Sequence, residues 1–268
     1  MKGDLVLTRA IVLAGSLNNG RLKECSPATA EAFIRIGNKY MVQYVVEALK
    51  EAETIGDIIL SGPKKDLEDI YKDRKGIYIV ESGPTIISSL QNALDILDLQ
   101  SDSRRVLVVT SDIPLITGPI IDAFLKRCLN EEGDVLYPII PKSLNQFKYP
   151  DVERTYVKLR DGVYTGGNVF LVNPLIVKPC ALKAAEVIKF RKEPLKLVRY
   201  IGFKYLFKYL LGLLSIQDAE ERVSQLFNIK GKAIHISLPE IGVDVDKPSD
   251  LRLVERILLG YGKSSNLG

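Results

Sequence analysis

The chain reads as an α/β protein with a mostly parallel central sheet and helices on both faces. Three observations carry that reading. Apolar runs bounded by turn residues alternate with segments of helical period through the first half of the chain. The runs are close to continuously apolar, as in strands covered on both faces. Small-residue or acidic loops follow several of them, at the strand ends where an open sheet of this kind binds its ligands.

In chain order, strands are predicted near 8–14, 56–61, 76–80, 105–110 and 134–140. Helices fall between them at 38–53 with Met41, Val45 and Leu49, at 84–97 with Ile87, Leu90 and Leu94, and at 117–129 with Ile121, Phe124 and Leu125. The second half mixes strands at 154–159, 168–172 and 232–237 with a helical insertion at about 182–227, interrupted by Pro194 and Gly212. Within it, 195–214 sets Tyr200, Phe203, Tyr205, Phe207 and Tyr209 among leucines, with Lys196, Lys204 and Lys208 at multiples of four. So wide an apolar face needs cover from the sheet, from a homodimer partner, or from a membrane surface to which the lysines snorkel.

With 46% of its 268 residues hydrophobic, the chain has enough for one sizeable core, so 1–268 is expected to form a single domain. A formal charge of +4, from 37 basic and 33 acidic residues, is too mild to indicate nucleic acid and suits an anionic small molecule. Cys25, Cys128 and Cys180 are scattered and form no CxxC pair, which argues against disulfides and zinc and for a reducing, cytoplasmic setting. Charges interrupt the first apolar runs, so no export signal is expected. His235 is the single histidine. It sits among apolar residues of a strand pattern and is expected to be structural, with no Ser-His-Asp or Cys-His constellation in view.

The first strand leaves through Leu13-Ala14-Gly15-Ser16 and reaches Gly20-Arg21-Leu22-Lys23. Small residues free backbone N–H groups to face phosphate oxygens, and the two cations offset a triphosphate's charge. The spacing matches neither a Walker A loop nor a Rossmann fingerprint. The strand at 105–110 ends in Ser111-Asp112-Ile113-Pro114, where Asp112 either takes part in chemistry or merely shapes the turn. Near the C-terminus, Asp244-Val245-Asp246 places two carboxylates on one side of an extended stretch just before a helix.

Together these segments resemble the MobA-like NTP transferases, nucleotidyltransferases of the Rossmann-like, glycosyltransferase-A-like fold related to molybdopterin guanylyltransferase. The resemblance runs from about Thr8 to Leu259 and is weak between about Pro174 and Lys230. It implies transfer of NMP from an NTP to a phosphorylated small-molecule acceptor, with pyrophosphate leaving and Mg2+ (or Mn2+) as cofactor. Such in-line chemistry needs positioning and charge compensation more than a nucleophile. Arg21, Lys23 and Asp112 are then the catalytic candidates. Asp112 and Asp246 are the metal ligands, with Asp244 either a further ligand or a structural partner of the phosphate loop, while Asp250 opens the following helix.

Nucleotide contacts are expected from Leu13, Ala14, Gly15, Ser16 and Gly20, with Arg21 and Lys23, and from the turns that hold Ser61, Gly62, Gly83 and Thr85. Those turns also read as ordinary ones. Thr165-Gly166-Gly167-Asn168 resembles the acceptor loop of relatives, with a tight hairpin turn as the alternative.

The chain also departs from the family pattern Leu-Ala-Gly-Gly-x-Gly-x-Arg-Met. Ser16 replaces the second glycine, Arg21 comes one residue late, and Glu31 stands where relatives carry a lysine that contacts the α-phosphate. Lys23 takes over that role, or Glu31 binds a cation or points away, or transfer has been lost and a nucleotide-binding or membrane-surface scaffold remains. A nucleotide-sugar glycosyltransferase is the other alternative, although Asp244-Val245-Asp246 lies at the wrong end of the fold for its Asp-x-Asp motif.

Overall fold

A computed structural model describes residues 7–97, 99, 104–190 and 200–260. The chain begins with β1 (Thr8–Leu13), a short hairpin β2 (Arg35–Ile36) and β3 (Lys39–Tyr40), and α1 (Met41–Glu51). It continues through β4 (Ile55–Gly62), α2 (Lys64–Tyr71), β5 (Ile77–Glu81), α3 (Ile86–Asp95), β6 (Val106–Thr110), α4 (Gly118–Cys128), β7 (Val135–Pro141) and α5 (Lys142–Lys148). Then come β8 (Val157–Leu159), β9 (Gly162–Gly166), β10 (Val169–Val172), α6 (Val177–Phe190), α7 (Phe203–Leu210), α8 (Ile216–Phe227), β11 (Gly231–His235) and α9 (Pro248–Leu259).

The main sheet runs in the order β5-β4-β1-β6-β10-β7-β9-β8, with β11 on the other edge of β7. Its β5-β4-β1-β6 half is parallel, as expected, and β10 enters antiparallel between β6 and β7. Alternation divides each central strand between two cores. Ala10, Val12, Leu107 and Val109 pack with α1 and α4 residues, and Ile11, Val106 and Val108 with α3 and α6 residues. Both faces are therefore apolar, which explains the continuous runs.

The first-half helices differ from expectation mainly at their ends. The 38–53 pattern starts as a helix only at Met41, because Gly37, at φ +62, turns the β2-β3 hairpin just before it. Strand β9 and helices α2 and α5 carry too few periodic apolar residues to stand out in sequence.

The insertion differs more. Helix α6 starts at Val177, ahead of the expected 182, and Gly202 (φ +103) and Gly212 (φ +68) bracket an eight-residue α7. Residues 191–199, with Pro194 and Lys196, lie outside the described residues. Burial of 195–214 against the sheet is not what the described part shows, since Phe203 is 73% and Leu210 is 70% exposed. Nor do the stripe's described lysines stand free. Lys208 bonds Asp218 at 2.5 Å, inside the capping box that Ser215 builds at the start of α8, and Lys204 lies over the Tyr205 ring. Among the described residues, no helix is long and apolar enough to cross a membrane.

Candidate active site

The carboxyl ends of β1, β4, β5 and β6 lie level, with Leu13 paired to both Ser61 and Thr110 and Gly62 paired to Glu81. The loop after β1 is laid over this edge and pinned there. Ala14 donates to the Ser61 carbonyl at 2.7 Å, and the buried Asn18 side chain donates to the carbonyls of Ser26 and Ala28. Gly15 is needed by close approach, because a Cβ there would lie 2.5 Å from Ser82 Cβ.

A 3-10 turn follows at Arg21–Glu24, anchored by the fully buried Leu22. Three residues per turn make Arg21 and Lys23 diverge from this anchor. Arg21 is the one whose charge reaches Glu153, which the Lys247 hydrogen bond chiefly holds below the usual carboxylate range.

Asp112 follows β6, and its side chain accepts a short hydrogen bond from the Thr110 hydroxyl. Its carbonyl accepts from the Val245 N–H at 2.9 Å, which fastens the 243–246 segment alongside. Val243 and Val245 are fully buried, so period-2 alternation turns Asp244 and Asp246 the other way, as their spacing predicts. Carboxylate oxygens of Asp112, Asp244 and Asp246 all lie within 4.8 Å of one another.

Burial pushes Asp112 up to about 6, with Asp246 and Glu31 adding repulsion against the Thr110 bond. Asp244 is pushed up to about 7, again by burial first, although Arg154 pulls the other way. Glu31 is raised by burial and by Asp246, while the Ser16 hydroxyl bonds its carboxylate. It therefore does not point away: four acids share one field. Each ionised pair in the cluster of three repels by at least about 3.5 kcal/mol at an effective dielectric of 20. Three hard carboxylate oxygens so close together are a donor set suited to Mg2+ or Mn2+.

Arg154 was not singled out in the sequence. Its guanidinium, 7% exposed, donates to both the carboxylate and the carbonyl of Asp244. Asp244 is thus held by Arg154, not by the phosphate loop. The two residues are 90 apart in the chain, so no local signal announced the pair. Tyr137 was missed for the same reason. Its ring stacks on Phe170, its hydroxyl lies against Gly166, and its pKa is raised by burial and by the Asp244 charge.

Several expected contacts have other work. Ser61 is fully buried, and its hydroxyl donates to the Ser89 carbonyl, which joins β4 to α3 and leaves it out of reach of a nucleotide. Thr85 is the N-cap of α3, in a capping box with Ser88. Gly62 is packed against Ala14, and Gly83 against Ser88.

Thr165 and Gly166 are the end of β9, not an open loop or a hairpin turn, since β9 and β10 do not pair with each other but follow one another along β7. Gly167 donates to the Pro138 carbonyl, and Asn168 donates to the Ile241 carbonyl through its N–H at 2.8 Å. The stretch Thr165-Gly166-Gly167-Asn168 is therefore a clasp that holds the 241–246 segment to β7. His235, expected to be structural, sets its ring edge-on to Tyr164 at 5.2 Å.

A family model for the MobA-like NTP transferase domain matches residues 10–199. A hypothetical transferase from Thermus thermophilus is 30% identical and superposes with a TM-score of 0.79 over 92% of this chain and 100% of that one. The 4-diphosphocytidyl-2C-methyl-D-erythritol synthase of Anaerococcus prevotii shares the fold at 16% identity, with a TM-score of 0.58 over 96% of this chain and 97% of that one. A 2-C-methyl-D-erythritol 4-phosphate cytidylyltransferase of Clostridium botulinum (strain Langeland) is 27% identical over 135 residues, 48% of this chain and 58% of that protein's length. With the family match spanning well over half of the 268 residues, on a sheet whose edge gathers the loop and acids described, the chain belongs to the MobA-like NTP transferase family.

Proposed function

We propose that residues 1–268 form one nucleotidyltransferase domain that moves an NMP group from an NTP to a phosphorylated small-molecule acceptor. The observation that carries this reading is the carboxylate cluster of Asp112, Asp244 and Asp246 beside the loop from Ala14 to Arg21. CTP is the first nucleotide to test, because two of the similar proteins are named for cytidylyl transfer.

In this reading an oxygen of the acceptor phosphate attacks the α-phosphorus, and the bond to the bridging oxygen breaks with its electron pair leaving on pyrophosphate. Backbone N–H groups of the 14–20 loop, with Arg21, cradle the outgoing phosphates, where their fixed dipoles need no reorganisation. Asp112 and Asp246 would hold a divalent cation, Mg2+ or Mn2+, which would neutralise charge on the phosphate oxygens. Asp244 would complete the ligand set, positioned by Arg154. Glu31 supplies further negative field at the place where relatives carry a lysine, so it serves the cation and not the phosphate. Lys23, on the same 3-10 turn as Arg21, is the second cation that offsets the triphosphate's charge.

Calorimetry of CTP, GTP, ATP and UTP with and without Mg2+ tests the binding half, and pyrophosphate release with a panel of phosphate monoesters tests the transfer half. Mg2+-dependent binding of one nucleotide is expected. Binding of none, with or without metal, would overturn the reading, and turnover of a nucleotide sugar without pyrophosphate release would replace it with glycosyl transfer.

A further inference from the structure

On the sheet face that packs α3 and α6, a cavity of about 470 Å3 opens between the sheet and helices α3, α6 and α8. Val135, Tyr137 and Ile139 of β7 form its floor, and Ile87, Val177 and Val223 stand on the three helices around it. Such a volume is in the range of small-molecule sites, and its lining is almost wholly apolar.

Apart from the Tyr137 hydroxyl at the wall nearest Gly166, its few polar groups are committed elsewhere. Glu220 accepts from the Ala233 N–H at 2.7 Å and faces Lys232 at 3.8 Å, while the Cys180 thiol points to the Phe227 carbonyl at 3.6 Å. An occupant would find no free hydrogen-bonding side chain at those positions, so a polar body would be stranded there and a hydrocarbon would not.

The cavity also borders the strand end that holds the candidate active site. Tyr137 lines it while its hydroxyl rests on Gly166, next to the Gly167 and Asn168 that clasp the 241–246 segment. Ile87 lines it two residues after Thr85, at the start of α3 and the turn that contacts Gly15. We infer that the cavity holds the hydrocarbon tail of the acceptor, a phosphate monoester of an alkyl or prenyl chain. Its phosphate would lie at the acids' edge and its chain would run past Tyr137 beneath α8. This rests on the nucleotidyl-transfer reading above for the role of the head group, not for the presence of a tail site.

The test uses the unmodified chain and n-alkyl phosphates from ethyl to dodecyl, each below its micelle concentration, in calorimetry. Affinity should rise by up to about fourfold per added methylene until the cavity is full. Dodecyl phosphate should also slow maleimide labelling of Cys180, which lines the cavity, by tenfold or more. Cys25, exposed and away from the cavity, should label at an unchanged rate. Ala219→Phe and Ala184→Phe, which fill the cavity from α8 and α6, should flatten the chain-length series.

A flat series in the unmodified chain, or a rising one that leaves Cys180 labelling unchanged, would overturn the inference. Mg2+-CTP titrated in parallel separates the two readings. Nucleotide binding with a flat series removes the tail site alone. A rising series with Cys180 protection and no nucleotide binding keeps the tail site and removes the transferase reading.

Discussion

Replacing Asp112 with asparagine should stabilise the metal-free protein. Burial and the repulsion of Asp246 and Glu31 raise this carboxyl from 3.8 to about 6. A raised acid contributes its stability in full below the unfolded value, near pH 4, and loses it as pH rises through about 6. At pH 8 the ionised group therefore costs the fold about 3 kcal/mol, taking 1.36 kcal/mol per unit.

Asp112→Asn removes the charge yet keeps an oxygen to accept the Thr110 hydroxyl. Spread over the unfolding entropy of 268 residues, the relief is about 5 °C in Tm. Thermal unfolding at pH 5 and pH 8, with and without Mg2+, measures it. The unmodified protein without metal should lose stability from pH 5 to pH 8 and regain it on adding Mg2+. Asp112→Asn should unfold about 5 °C higher at pH 8 and respond little to the ion. A variant that unfolds below the parent at pH 8 without metal, or keeps the full Mg2+ shift, would refute the reasoning and make Asp112 a turn former.

Glu31→Gln should weaken Mn2+ binding by about tenfold in calorimetry, since its carboxylate shares the field of Asp112 and Asp246; an unchanged affinity would remove it from the cation's surroundings. Arg154→Met should destabilise by about 3–5 kcal/mol in denaturant unfolding, because it leaves the Asp244 charge buried without its partner. A loss below about 1 kcal/mol would show that the pair orders nothing. Arg21→Ala and Lys23→Ala should each raise the Kd for the bound nucleotide by about tenfold, since each removes a cation from the turn that follows the phosphate loop. An unchanged Kd in either variant would remove that residue from the phosphate site.

By itself the sequence determined the layered sheet and the chemistry-bearing positions that follow its strands. A strand buried on both faces must be apolar throughout, so β1, β4 and β6 declare themselves, and ligand loops of such a sheet necessarily follow their carboxyl ends. The pairing of Asp244 with Asp246 on one side was legible too, because two-residue alternation is a local property of extended chain.

Only the tertiary structure decided what each group faces. Glu31 joins the acids because the Leu17–Ala30 bridge lays its segment against the phosphate loop. Arg154 reaches Asp244 from 90 residues away, and Thr165 to Asn168 became a clasp because β9 continues towards β10 along the edge of β7. Ser61 turned inward to hold α3, and Thr85 caps that helix from its exposed end. Periodicity records which side of its own element a residue lies on. What stands opposite depends on how the elements pack, and a cavity such as the one under α8 exists only between them.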